Sequence, residues 1–246
     1  MAFETNRGMT RAQAEAAQID VGLRRYLLNV YNYMASGLAL TGIVAWVVAN
    51  SPSIQAVFFQ QTARGFGPTG LGWIAIIAPL FLVMGISFGI ARMRASTAMT
   101  LFWVYAALMG ISLSSLLMVY TGASVARTFF VTAAAFGGLS LWGYTTRRDL
   151  TGFGSFLFMG LIGIILASVV NMIWPSPGLT FVVSIVGVLI FAGLTAYDTQ
   201  KIKELYWEAD GEEVTARKAV LGALTLYLDF INLFILLLRF MGDRRQ

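Results

Sequence analysis

The chain has 246 residues, of which 58% are hydrophobic and only 12% charged, with a formal charge of +5 at neutral pH. About a quarter of the residues of a soluble domain are charged, so this composition is that of a membrane protein. Cysteine and histidine are both absent, which excludes disulfides, thiolate or imidazole metal sites and every histidine-based triad or proton relay, and leaves carboxylates as the groups for a proton switch.

Residues 1–25 are polar and end in Leu23-Arg24-Arg25. No short apolar stretch followed by a small-residue cleavage site occurs there, so they read as a cytosolic tail, partly helical across Arg11 to Ala17, and not as a signal peptide. Residues 26–246 form the second unit, a transmembrane domain. It holds seven apolar runs, each near the roughly 20 residues that cross about 30 Å of hydrocarbon. They are Tyr26 to Ala49, Leu71 to Ala91, Ala98 to Tyr120, Thr128 to Tyr144, Phe153 to Trp174, Leu179 to Asp198 and Ala219 to Leu238. The fold class expected is an all-α membrane protein with seven transmembrane helices.

Orientation follows from the basic residues between the runs. Twelve of the 17 Lys and Arg (Arg7, Arg11, Arg24, Arg25, Arg92, Arg94, Arg147, Arg148, Lys201, Lys203, Arg217 and Lys218) lie on one side, and Arg64, Arg127, Arg239, Arg244 and Arg245 on the other. This places the N-terminus in the cytoplasm and the C-terminus outside, with the tail from Arg239 to Arg245 running against the bias. The same spread makes the positive charge a matter of topology, and no nucleic-acid partner is expected.

Within the spans, Pro79 removes a backbone donor and is expected to bend or loosen the second one. Gly85 with Gly89, Gly110 with Ser114, and Gly160 with Gly163 are spaced for close helix packing. Gly65-Phe66-Gly67-Pro68-Thr69-Gly70 matches a dinucleotide fingerprint letter for letter, but with no preceding strand or α/β unit it reads as a glycine-rich turn. Pro175-Ser176-Pro177-Gly178 is a turn opening the sixth span. The stretch Thr199 to Lys218 reads as a solvated hairpin turning at Asp210-Gly211.

The last span carries Asp229 near its middle. An ionised Asp at a helix centre costs roughly 2.5 to 3.5 kcal/mol on insertion scales, against about 0.3 to 0.6 gained for each Leu, Ile, Phe or Val. Eight Leu, two Ile, two Phe and one Val between Ala219 and Leu238 outweigh it. Asp229 and Asn232, three residues apart and so on one face, are expected to turn from lipid toward other helices. Asp198 is interfacial if its helix stops at Tyr197, or about nine residues deep if the helix runs on to Tyr206 and Trp207. Should the two carboxylates meet, they would share one proton as a coupled pair and form a proton-operated latch, with Arg92 able to neutralise the ionised pair. The plainer alternative is that Asp198 caps a helix end and Asp229 joins helices. Arg127 and Arg239 read as snorkelling anchors.

Phe191-Ala192-Gly193-Leu194-Thr195-Ala196-Tyr197-Asp198-Thr199-Gln200-Lys201-Ile202 and Leu226-Tyr227-Leu228-Asp229-Phe230-Ile231-Asn232-Leu233-Phe234 resemble the signature of the transmembrane Bax-inhibitor-motif family. So do Gly110-Ile111-Ser112-Leu113 and Gly143-Tyr144-Thr145-Thr146 leading into Arg148-Asp149-Leu150-Thr151. With Tyr31-Asn32-Tyr33-Met34, Gly37 and Leu38, the chain is most similar to the bacterial inner-membrane branch. The resemblance implies six helices around a central seventh and a pH-sensitive calcium leak. Asp198 and Asp229 would be the sensing pair and the weak Ca²⁺ contacts along the path, Arg92 the latch, and Tyr197 and Asn232 supporting residues. No bound cofactor is implied.

An intramembrane aspartyl protease would also use two carboxylates, but bulky Leu226, Tyr227 and Leu228 occupy the approach to Asp229 where such enzymes need glycine. A retinal protein needs a deep lysine, and Lys201, Lys203 and Lys218 are too close to the membrane surface. The chain is therefore not expected to be an enzyme. The main rival to a leak is a non-conducting regulator that binds a membrane protease or another membrane protein.

Overall fold

The computed structural model describes the backbone of residues 11–62 and 65–245, and their side chains except at 11–20, 62, 65 and 66. Residues 1–10 of the expected tail, with Arg7, and Arg64 of the outer basic set lie outside the described residues. The elements in order are α1 (Arg11–Asn50), α2 (Pro52–Phe58), β1 (Phe59–Thr62), β2 (Gly65–Pro68), α3 (Gly70–Gly89), α4 (Ala95–Val119), α5 (Gly122–Thr145), α6 (Thr151–Ile173), α7 (Pro177–Glu204) and α8 (Glu212–Met241). A 3₁₀ turn, Ile90–Arg92, extends α3. All but α2 of these helices are long and apolar enough to span a membrane, α1 over Val21–Asn50.

The helix starts follow local chemistry. Thr69 accepts a hydrogen bond from Gly72 N at 3.1 Å, Thr121 from Ser124 N at 3.3 Å and Ser176 from Leu179 N at 3.4 Å, each side chain satisfying a backbone donor that has no partner inside its helix. α1 runs without a break from Arg11: no Pro interrupts the junction, Arg24 and Arg25 are good helix formers, and Gly22 is accommodated within the helix. The described part of the expected tail and the first span thus form one continuous helix. α3 is continuous through the buried Pro79.

Two expectations about segments between spans and one about packing within a span are corrected. The glycine-rich stretch is not a plain turn: Phe59–Thr62 and Gly65–Pro68 pair as an antiparallel ribbon, and Thr69 N closes it onto Phe58 O at 2.9 Å. The expected long hairpin after Thr199 shrinks to Leu205–Gly211, because α7 continues to Glu204 and α8 begins at Glu212. The connection is solvent-exposed at Trp207, Glu208, Ala209 and Gly211, as expected, and the start of α8 ties it down. Lys218 Nζ donates to Leu205 O at 2.8 Å and pairs with Asp210, Arg217 Nη1 donates to Ala91 O at 2.6 Å, and Glu213 Oε1 accepts from Ala95 N. Gly85, finally, has nothing near the place a Cβ would take, so that small-residue pair is not a packing contact.

α8 is the most buried span: 61% of its most apolar window is shielded, against at most 44% in any other. It packs chiefly on α1, α4, α5 and α7. Tyr227 illustrates how it fits. The ring stands edge-on to Phe102 and Tyr105 of α4, the favoured geometry for aromatic pairs, and its hydroxyl meets Thr41 Oγ1 of α1 at 2.6 Å. Thr41 in turn donates to Ala106 O at 2.8 Å. Close backbone approach is made by glycine: a Cβ at Gly110 would lie 2.7 Å from Thr41 O, which binds α4 tightly to α1.

Candidate functional site

Asp198 and Asp229 come together. α7 passes Asp198 and runs on for six residues to Glu204, which places the half-buried Asp198 side chain one to two turns from the helix end. α8 brings Asp229 from the opposite direction. The contacts of Ile202 with Gly222 and of Leu236 with Gly187 bracket the pair and fix the antiparallel register. The two carboxyl groups are within hydrogen-bonding reach of each other, Asp229 is only 4% exposed, and its Oδ2 meets no donor. A carboxyl–carboxyl contact of this kind is bonding only when one member carries a proton.

The pair opens into a cleft of about 1030 Å³ between α6, α7 and α8. Tyr197, Thr225, Leu228 and Asn232 line it beside the carboxylates, and Phe158, Leu161, Ile165 and Val169 of α6 form its apolar wall. Asn232 donates to Leu228 O at 2.9 Å, so its amide oxygen remains an acceptor. The ring of Tyr197 occupies the space beside Gly154, where a Cβ would stand 2.4 Å from a ring carbon.

Arg92 is not brought to this site. It is exposed at the end of the 3₁₀ turn and takes no part in lining the cleft. The cation facing Asp198 is Lys201, one turn further along α7, which lines the cleft and sits 5.9 Å from the Tyr197 ring centroid. Arg239 lies at the far end of the same cleft. Neither was singled out from sequence as a site residue, and only the helical i,i+3 spacing of Asp198 and Lys201 pointed to the first.

Behind the pair, small polar residues hold α7 in place. Thr199 Oγ1 meets Ser140 Oγ of α5 at 3.0 Å, and Ser140 meets the Tyr31 hydroxyl of α1 at 2.5 Å. Gln200 donates to Arg148 O at 2.8 Å and accepts from Leu150 N at 2.9 Å, so one amide satisfies both backbone groups of the turn that opens α6. Tyr31, Thr199 and Gln200 all fall within the stretches that carry the family resemblance. Among the described residues there is no group of three or more His, Cys, Asp or Glu side chains suited to a metal ion.

A polytopic α-helical membrane protein with a buried carboxylate pair at the floor of an intramembrane cleft is thereby defined. The family model described as inhibitor of apoptosis-promoting Bax1 matches residues 23–246, and the chain belongs to this Bax inhibitor-like family. It is similar to the inner membrane protein YbhL of Escherichia coli K12, 49% identical over 230 residues covering 93% of this chain and 95% of the relative. It is likewise 50% identical to RP147 of Rickettsia prowazekii over 92% of this chain and 93% of that one. A Caulobacter vibrioides relative is 47% identical over 98% of both chains. The relation to YbhL, together with the seven apolar helices, makes this a multi-pass protein of the bacterial inner membrane.

Proposed function

We propose that the protein is a pH-sensitive cation leak, with Ca²⁺ as its cargo, controlled by the Asp198–Asp229 pair, and that it has no enzymatic activity. The observation that carries this reading is the contact of two carboxyls from successive spans at the base of a cleft inside the membrane. With one proton between them the two side chains bond and draw α7 to α8. Loss of that proton leaves two like charges at short range, which must separate or recruit a cation. Lys201 answers the charge from the cytoplasmic end in the orientation with the N-terminus inside and the C-terminus outside. Calcium takes six to eight oxygen ligands when held tightly, so two carboxylates suit passage and not storage.

The test is calcium flux in proteoliposomes of the purified protein from about pH 5 to about pH 8, since protonation of the coupled pair is the proposed control. Protein-dependent flux that changes with pH is expected. A flat, protein-independent signal would favour a regulator that binds a membrane protease or other membrane partner through the same cleft.

A further inference from the structure

We propose that the end of the cleft nearest the C-terminus is a binding site for an anionic phospholipid, whose phosphate is held by Arg239 and Arg244 while an acyl chain lies in the cleft. The site stands whether or not the cleft conducts ions.

Arg239 borders two hollows at once, the cleft described above and a second one of about 460 Å³. The second is walled by the turn Pro175–Pro177, by Thr180 and Phe181 of α7, and by Phe240 and Arg244. Neither arginine side chain has a hydrogen-bond or ion-pair partner among the described residues, whereas the other described cations of this face are engaged. Arg127 pairs with Asp243 at 3.3 Å, and Arg245 Nε donates to Tyr120 O at 3.1 Å. Two unpaired guanidinium groups on one hollow form a recognition surface for phosphate oxygens. Ser176 adds a third donor: its oxygen already accepts from Leu179 N, which leaves the hydroxyl proton free. Thr180 is committed, donating to Ser176 O and accepting from Asn171.

Trp174, 70% exposed on the adjoining turn, sets the hollow at headgroup depth, where such rings concentrate. Arg239 lies ten residues beyond Asp229 on α8, roughly 15 Å at about 1.5 Å per residue. Between them the cleft wall is Ile165, Val169, Ile235 and Leu236. An occupant must be anionic at one end and apolar along its length, and it must come from the bilayer, since the cleft lies within the spans. The arginines that run against the positive-inside bias thus gain a ligand.

Native mass spectrometry of the delipidated protein in mild detergent tests this, with phosphatidylglycerol and phosphatidylcholine offered at equal concentration. The wild type should retain phosphatidylglycerol preferentially. Arg239→Gln with Arg244→Gln should lower its retention by about ten-fold, Arg239→Lys should retain part of it, and Arg127→Gln should leave it unchanged. Ser168→Phe, which fills the cleft, should lower it with both arginines intact. Free glycerol phosphate in excess should fail to displace the lipid, because it lacks the chain. Equal retention of the two lipids, equal loss in Arg127→Gln, or full displacement by glycerol phosphate would each overturn the proposal.

Discussion

Gly143 of α5 and Ala196 of α7 touch backbone to backbone: a Cβ at Gly143 would stand 2.2 Å from the Ala196 carbonyl oxygen. That oxygen belongs to a helix and cannot swing away like a side-chain tip, so the contact fixes the height of α7 two residues before Asp198. Gly143→Ala is expected to cost about 1–3 kcal/mol, the usual range for overpacking. Gly138→Ala, on the same helix but facing open space, should be neutral or gain up to about 1 kcal/mol. Unfolding in detergent by SDS titration separates the two, and equal effects would mean that the α5–α7 contact is looser than described.

For the orientation, a reporter fused after Arg147 should report the cytoplasm and one fused after Gln246 the outer side. The seven spans require opposite answers from these two positions. Identical answers would remove one span from the bundle.

Asp198→Asn and Asp229→Asn should each abolish most of the pH dependence of flux, since an amide keeps the shape of the carboxyl but neither shares nor releases its proton. The double substitution should add little to either single one, because the carboxyls act as one unit. Additive effects would show two independent groups.

The position of the basic partner separates two residues. Lys201 faces Asp198, and Arg92 is exposed outside the cleft, so Lys201→Ala should displace the flux–pH profile while Arg92→Ala leaves it in place. The reverse result would require α3 to swing its end toward α7 during gating.

Asp149 provides a pH effect at the membrane surface. Hydrogen bonds from Thr151, first from its side chain and then from its backbone N–H, hold the Asp149 carboxyl below the ordinary aspartate range; the backbone bond is 2.8 Å. A depressed native value means that the ionised form favours the folded turn. Its contribution is complete above the unfolded aspartate value and is lost as pH falls through the lower native one. Protection of the Thr151 amide, taken relative to its intrinsic exchange rate at each pH, should therefore fall on strong acidification in the wild type and be already low in Asp149→Ala. Unchanged protection in the variant would assign the turn to Gln200 alone.

The spans were readable because an uninterrupted apolar run of membrane length is produced by little else, and the turning of Asp229 away from lipid followed from its place inside such a run, whereas its meeting with Asp198 stayed open between a shared pair and separate structural roles. The ends were harder to read. Asp198 stood at the edge of an apolar window, yet Thr199, Gln200 and Ile202 are buried against neighbouring helices, a tertiary effect that carries α7 past the last apolar run. Arg92 and Lys201 are equally basic in the sequence, and only the rotation of each helix decides which of them faces the pair. Arg239 looked like a membrane anchor because the turn before α7, which surrounds it, is distant in the chain.

The helix against which α1, α4, α5 and α7 pack follows all four of them in the chain. Until residues 212–241 emerge, Thr41 lacks the Tyr227 hydroxyl and the flanking helices expose the grooves that α8 will fill. Residues just beyond α8 tie it to the α4–α5 junction, where Thr121 N donates to Asp243 O and Arg245 N to Val119 O, both at 2.9 Å. A chain lacking α8 keeps six apolar helices long enough to span a membrane but loses the surface on which four of them pack, so the bundle closes only once its most buried member is in place.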